Sequence, residues 1–429
     1  MKVISRTFLV YLLARLSRAI LRKYQPHVIM VTGSVGKTST KDAVIAAFSS
    51  YTDVRGSEKS FNSELGVPLT IIGAHNPWEN VSKWITVFAQ ALGLILFDKQ
   101  YPKVLVLEVG ADRPGDLARI LRFATPDAVV VTRLPDVPVH VEAYASTQAV
   151  KDEEFTPAFS LPPGAPLILA SDNEYALSMG KKTSARMHTF GFQDGSDVVI
   201  VAPSLKVEKG QVVGMEATVV VNGTSYPLIV CGALGTHHLL APASAIACAL
   251  SLGVPISKIL MGLKKYRPPA GRSRILRGIH HSTLIDDTYN SSPVAVQEAL
   301  SSLSLMPTLG RRIAILADML ELGRYSHGEH EAVGVQAAGI VDLLVCVGTR
   351  SKVTAEAAQR AGLTNNQIIT YVDSTEAARE LPIRITQEDS ILIKGSQGMR
   401  MERVVEVLLE DKADSQYLVR QEKEWKRRG

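Results

Sequence analysis

HVIMVTGSVGKTST, residues 27–40, decides how the rest of the chain is read. Val28 to Val31 form a short continuous apolar run, the mark of a strand buried on both faces. Two glycines follow, and a helical pattern then opens at Lys37 and runs to Ser49. A strand, a glycine-bearing turn and a helix N-terminus together make a phosphate-binding loop. Gly33 and Gly36 let the backbone turn its N–H groups inward around phosphate oxygens. Lys37 supplies a point charge to the β- and γ-phosphates, and Thr38 offers a hydroxyl to Mg²⁺. The expected nucleotide-binding set is Gly33, Ser34, Gly36, Lys37, Thr38 and Ser39. The loop departs from the strict form, because Val31 stands where a glycine six residues before Lys37 is expected.

Working outward, the runs KVLVLEVG, DAVVVTRL and PLILASD repeat the buried-strand pattern, and helical segments such as 114–123 lie between them. That rhythm predicts an α/β fold with a mostly parallel sheet. Residues 197–231 instead alternate and carry Lys209-Gly210 and Asn222-Gly223, which predicts antiparallel hairpins joined to the sheet. The stiff segment YRPPAG (266–271) reads as a linker. Beyond it STLIDDTYN, RRIAILADM, DLLVCVG, IITYV and SILIKGS predict a second α/β domain. The expected organisation is a basic helix over 1–27, a central nucleotide-binding domain over 28–267 and a C-terminal domain over 268–429. The charged tail, 421–429, reads as a solvated end.

Length and composition set bounds. A chain of 429 residues has room for two or three domains. With 46% apolar and 21% charged residues it is not a disordered chain. No apolar run reaches the ~18 residues of a membrane-spanning helix. Three cysteines, Cys231, Cys248 and Cys346, are too few for a disulfide framework or a zinc site, so a cytoplasmic location is expected. The net charge of +5, from 47 basic and 42 acidic residues, is too mild for a nucleic-acid binder.

The N-terminus concentrates that charge. Residues 1–41 contain no Asp or Glu, and Lys2, Arg6, Arg15, Arg18, Arg22 and Lys23 fall within the first 23. On a helical wheel Leu9, Leu13, Leu16 and Ile20 share one face, and Arg15, Arg18 and Arg22 share another. Two readings stand: the Leu face packs on the body of the protein, or the helix lies on the inner face of an anionic membrane.

The phosphate loop TGSVGKTSTK resembles that of the Mur ligases, the ATP-dependent amide ligases of bacterial cell-wall synthesis. FNSELGVPLTI (61–71), LEVGADRPGDL (107–117), HVEAYAS (140–146), VKDEEF (150–155), PPAGR (268–272), LIDDTYNSSP (284–293), LADMLELG (316–323) and IKGSQGMRME (393–402) resemble further family segments, in family order. The last four are most similar to the member that adds D-alanyl-D-alanine to a UDP-muramoyl tripeptide. The resemblance implies a Mur-ligase-type central domain and a Rossmann-like C-terminal domain.

It also implies roles. Glu108, at the end of a buried run, suits Mg²⁺ beside Thr38. By resemblance His140 serves a second Mg²⁺, and Lys151 is carbamylated by CO₂, which turns a cation into a metal-binding anion. From residue type alone, His140 would be structural and Lys151 a solvated helix lysine. By the same resemblance Lys37, His140 and Lys151 are catalytic, while Arg272, Asp287 and Asn290 contact the nucleotide. Asn62, Lys394 and Ser396 are expected at the substrates. Asp318 and Glu321 are left open between a structural role and the incoming dipeptide. Departures occur at Ala317, where glycine is usual, at Gln397, where arginine is usual, and at His238 and Ala241, where asparagines are expected. The family's N-terminal UDP-binding domain has no counterpart ahead of the phosphate loop; residues 12–33 resemble only the linker helix that follows it.

The implied reaction is a two-step ligation through an acyl phosphate, with ATP and Mg²⁺. The favoured substrates are a UDP-muramoyl tripeptide and D-alanyl-D-alanine, with UDP recognition either supplied by a separate chain or dispensed with. One alternative is a Mur-like amide ligase acting on a different, lipid-linked acid. Another is a P-loop ATPase without ligation, against which Lys151, His140 and the KGS segment argue.

Overall fold

The computed structural model describes residues 3–57, 59–78, 80–307 and 309–426. Nine strands build the first sheet: β1 (His27–Thr32), β2 (Val54–Gly56), β3 (Val104–Glu108), β4 (Ala128–Val131), β5 (Pro166–Ala170), β6 (Arg186–Gly191), β7 (Val198–Glu208), β8 (Gln211–Val221) and β9 (Thr224–Cys231). Their order is β2-β3-β1-β4-β5-β6-β7-β8-β9. The first seven run parallel, and β8 and β9 are added antiparallel. The two hairpin turns fall at Lys209-Gly210 and Asn222-Gly223, where all four residues have positive φ, as a tight two-residue hairpin requires.

Strand residues alternate between two cores. Ile29 and Val31 face the helices α2 (Lys37–Phe48) and Leu240–Ser251. Val28 and Met30 face the other side, covered by α1 (Val3–Tyr24), α3 (Gly66–Ile72) and α4 (Val81–Leu96). Leu13 and Ile20 of α1 are fully buried there, with Leu9 and Leu16 packed beside them. The Leu face of α1 is therefore a packing face on the body of the protein. The C-terminal end of α1 is pinned as well. Lys23 Nζ donates to the carbonyls of Leu94, Ile95 and Phe97 at 3.2, 3.2 and 2.8 Å, meeting the negative end of α4. The Tyr24 and Tyr101 rings stack at 4.5 Å. Lys2 lies outside the described residues, as does the side chain of Arg6.

The second sheet holds β10 (Arg274–Arg277), β11 (Thr283–Asp287), β12 (Arg312–Ala317), β13 (Leu343–Val347), β14 (Ile368–Tyr371) and β15 (Ser390–Lys394), in the order β10-β11-β15-β12-β13-β14. Only β10 is antiparallel. The tail departs from the expected solvated end. Gln421 and Glu422 are half-buried, residues Lys423–Lys426 form a short helix with Glu424 and Lys426 exposed, and Trp425 meets Trp78 of the first domain edge-on at 6.2 Å. Residues 427–429 lie outside the described residues.

Asp286 on β11 makes stability depend on pH. Its Oδ1 accepts from the Thr288 N–H at 3.2 Å and hydroxyl at 2.6 Å, while the buried Oδ2 has no partner among the described residues. Burial pushes the carboxyl from its ordinary 3.8 up to about 6, against the opposing Thr288 bonds. The folded state therefore holds this proton more tightly than the unfolded chain. Stability falls as pH rises from 3.8 to about 6, and the penalty is complete above that. Asp286→Asn removes the penalty, worth about 3 kcal/mol at neutral pH. The variant should melt above the parent at neutral pH, and the gap should close below about pH 4 in parallel melting curves.

Candidate active site

The phosphate loop sits at the C-terminal end of β1, where parallel sheets gather their ligands. Gly33 has φ +117, and a Cβ there would lie 2.3 Å from Thr132 Oγ1. Gly36, at φ 91, caps α2, whose first-turn N–H groups have no acceptor within the helix. The Ser34 and Val35 N–H groups are held by the Arg133 carbonyl at 3.1 and 3.2 Å, which ties the loop to the chain beyond β4.

Ser60, Asn62, Glu108 and Glu154 converge on the loop. Thr38 Oγ1 donates to Glu108 Oε1 at 3.2 Å, and Ser60 Oγ donates to the same oxygen. Glu108 is buried, and its Oε2 has no partner among the described residues. A hydroxyl beside an uncompensated buried carboxylate oxygen is a hard-oxygen donor set that fits Mg²⁺. Lys37 Nζ donates to the Gly33 carbonyl and lies 3.6 Å from Glu154 Oε1, while Ser34 Oγ donates to Glu154 Oε2. Asn62 reaches the same corner: a Cβ on Gly110 would stand 3.0 Å from Asn62 Nδ2 and 3.2 Å from Lys37 Cε.

Glu154 was not singled out by the sequence reading, although it lies within VKDEEF. It sits on α5 (Thr147–Phe159), and its backbone carbonyl accepts from Thr32 Oγ1 at 2.6 Å. Lys151 lies one turn earlier on the same helix face. Its Nζ is 3.7 Å from Asp136 Oδ1 and 5.1 Å from the Tyr175 ring centroid. It opens onto a cleft of about 600 Å³ that also borders Arg133 and Asn173.

His140 has φ 65 and bridges the two halves of the protein. Its Nδ1 is 2.6 Å from Glu321 Oε2, and its Nε2 is 3.6 Å from Asp112 Oδ1. Burial opposes charge on the ring, but the bond to Glu321 and the nearby carboxylates outweigh it and raise the His140 pKa. The hydrogen bond from His140 in turn holds the Glu321 carboxyl low. Among the described residues no group of three His, Cys, Asp or Glu side chains is gathered for a metal, so His140 and Glu108 do not share one ready-made cage.

A cavity between the two sheets collects Gly36 and Ser39 on one wall and Arg272, Asp287 and Lys394 on the other. Arg272 lies over the Tyr289 ring, 4.1 Å from its centroid. Asp287 and Lys394, register partners on β11 and β15, form a buried 2.7 Å ion pair. Lys394 also donates to the Asn290 carbonyl at 3.0 Å, and Asn290 Oδ1 accepts from the Ser291 N–H at 2.9 Å. His238 and Ala241 line the same cavity. Burial, with the charges of His237, Arg272 and Lys394, drives the His238 pKa far down, so it presents a neutral ring. Ser396 is buried, and its Oγ accepts from the Leu320 N–H at 2.8 Å. Asp318 accepts from the Ser351 N–H at 2.8 Å and hydroxyl at 2.7 Å. That position anchors the helix Ser351–Arg360.

A second, wider cleft of about 760 Å³ borders Thr38, Phe61, Trp78, Arg272, Tyr289 and Trp425. Contacts across the sheets include Arg133 with Glu298 and Lys59 with Glu422, besides His140 with Glu321.

Comparison with known proteins agrees with this layout. Residues 31–249 match the Mur ligase middle domain, and residues 271–397 match the Mur ligase glutamate ligase domain. The chain is 24% identical over 399 residues to UDP-N-acetylmuramoyl-tripeptide–D-alanyl-D-alanine ligase of Bacillus subtilis, covering 93% of this chain and 79% of that protein. Identity to the Escherichia coli protein of the same name is 26% over 388 residues, covering 90% and 77%. The crystal structure of MurF ligase from Thermotoga maritima in complex with ADP superposes with a TM-score of 0.73 at 24% identity, covering 93% of this chain and 83% of that one. The middle-domain match alone takes in half of the sequence, and the chain belongs to the Mur ligase family.

Proposed function

We propose that the protein is an ATP-dependent amide ligase of peptidoglycan precursor synthesis, joining D-alanyl-D-alanine to the carboxylate of a muramoyl tripeptide. The observation that carries this reading is the corner where Lys37, Thr38, Glu108 and Asn62 meet between two clefts, in a chain matched over nine-tenths of its length by ligases of that name.

ATP binds with its phosphates on the first-turn N–H groups of α2 and its nucleoside between the sheets, near Arg272 and Asp287. Lys37 exchanges Glu154 for the phosphates. Mg²⁺ would be held by Thr38 and Glu108 and would neutralise phosphate charge there. The tripeptide carboxylate, beside Asn62, attacks the γ-phosphorus, and ADP leaves. The dipeptide amine then attacks the acyl carbon, phosphate departs with the bonding electrons, and the amine proton passes to a base. Ion pairs across the sheets keep the site closed against water, which would hydrolyse the acyl phosphate.

A UDP carrier on the acid is the favoured form, bound without or with a separate UDP-binding chain. A lipid-linked acid is the second reading, favoured by the apolar surface described below. Carbamylation of Lys151 belongs to the proposal: it is supported by the place of Lys151 one turn from Glu154, which itself pairs with Lys37. Lys151→Ala should lose at least about 10²-fold in turnover, as for other electrostatic groups at a transferring phosphoryl. Added bicarbonate should not restore it, whereas short carboxylic acids should restore part of it. A Lys151→Ala protein as active as the parent would remove the carbamate. The reading as a whole is tested by phosphate release that requires both muramoyl tripeptide and dipeptide.

A further inference from the structure

With the Leu face of α1 buried, the outward faces of α1 and α4 remain to be explained. On α4 the residues Ile85, Ala89, Leu92 and Leu96 follow one another at spacings of four, three and four, which puts them on one stripe. That stripe faces solvent: Ile85 is 66% exposed, Leu92 47%, Leu96 69%, and Phe97 beyond the helix end 64%. The opposite face of α4, with Val87, Ala91 and Leu94, is the one packed on the core. Lys83 is the only charged residue in the helix. A water-facing stripe made of large aliphatic side chains is costly for a soluble surface and marks a contact.

The outward face of α1 supplies the complement. Phe8 and Tyr11 are exposed on it, followed at helical spacing by Arg15, Arg18 and Arg22. Lys23 fixes the C-terminal ends of the two helices together. Beside that end a depression of about 440 Å³ is bordered by Arg18, Arg22 and Arg122. Asp127 also borders it, but its carboxylate accepts the Val28 N–H at 2.8 Å. Asp98, the nearest acid at the α4 end, pairs with Lys23 at 3.2 Å. Arginines around a hollow on α1, a helix that packs against the α4 carrying the uncharged apolar stripe, match phosphate headgroups above acyl chains. No described helix is long and apolar enough to cross a membrane, so the pair would lie in the interface plane.

We propose that the outward faces of α1 and α4 dock the protein on an anionic membrane surface, with the α4 stripe and Phe97 in the acyl boundary and Arg15, Arg18 and Arg22 at the lipid phosphates. The ligase reading is independent of this surface, and ATP turnover is recorded beside each binding measurement so that the two can fail separately.

The test is flotation of the full chain with vesicles of phosphatidylcholine alone or mixed with phosphatidylglycerol. The protein should float with the mixed vesicles at low salt and stay behind with phosphatidylcholine. Raising ionic strength from about 0.01 M to about 1 M, which shortens the screening length from about 30 Å to about 3 Å, should release it. Arg15→Ser with Arg22→Ser should weaken partition roughly 25-fold. Leu92→Glu with Leu96→Glu, both at exposed sites, should abolish it with ATP turnover unchanged. Full-length protein left unbound by mixed vesicles at low salt overturns the proposal, as does binding that survives both double variants. A dimer that Leu92→Glu with Leu96→Glu dissociates, in protein that ignores vesicles, would assign the stripe to a second copy instead.

Discussion

Lys37→Ala is expected to lower ATP turnover by at least about 10²–10³-fold, the scale of removing one preorganised electrostatic donor from a transferring group. The side chain also has a second task in the nucleotide-free protein, because it faces the buried carboxylate of Glu154. Removing the lysine alone leaves that carboxylate with Ser34 as a neutral partner, so the melting temperature should fall too. Lys37→Ala combined with Glu154→Gln separates the effects: stability should return and turnover should not. If the double variant regains turnover, Lys37 acts through the fold and the phosphate-loop mechanism is wrong.

Glu108→Gln should cost a comparable factor, and its signature should be the metal. The substitution preserves shape and the acceptor oxygen used by Thr38 and Ser60, but replaces the unpartnered Oε2 with an amide. Residual turnover should need far more Mg²⁺ than the parent, since a neutral amide binds a hard divalent cation poorly. An unchanged Mg²⁺ dependence with normal turnover would take Glu108 out of the metal site.

These two residues were legible from the sequence because Lys37 opens a helix after a glycine turn and Glu108 ends a buried strand, each in a recognisable local pattern. The same locality made the strands and the Lys209-Gly210 and Asn222-Gly223 turns readable. What was missed depends on contacts between distant parts of the chain. Glu154 is one of three acids in a row, and only the fold selects the one that turns toward Lys37. Glu321 meets His140 because a left-handed backbone at φ 64 aims it there, a conformation no residue pattern announced. The tail hid Trp425 among charges, so composition predicted solvent where Gln421, Glu422 and Trp425 form a wall of the wider cleft. On α1 the amphipathic pattern correctly identified a buried face but could not say whether protein or lipid covers it. The answer lies in α3 and α4, which belong to a different stretch of sequence.

A ligase of this kind must bring acid, amine and ATP into one reaction. The most direct measurement supplies purified protein with ATP, Mg²⁺, UDP-muramoyl tripeptide and D-alanyl-D-alanine, and follows both ADP and the mass of the muramoyl peptide. ADP formation should need both substrates, with one ADP for each dipeptide joined and a product heavier by one D-alanyl-D-alanine less water. ATP hydrolysed at the same rate without acid or amine, with no amide product from either a UDP-linked or a lipid-linked muramoyl peptide, would contradict the ligase reading.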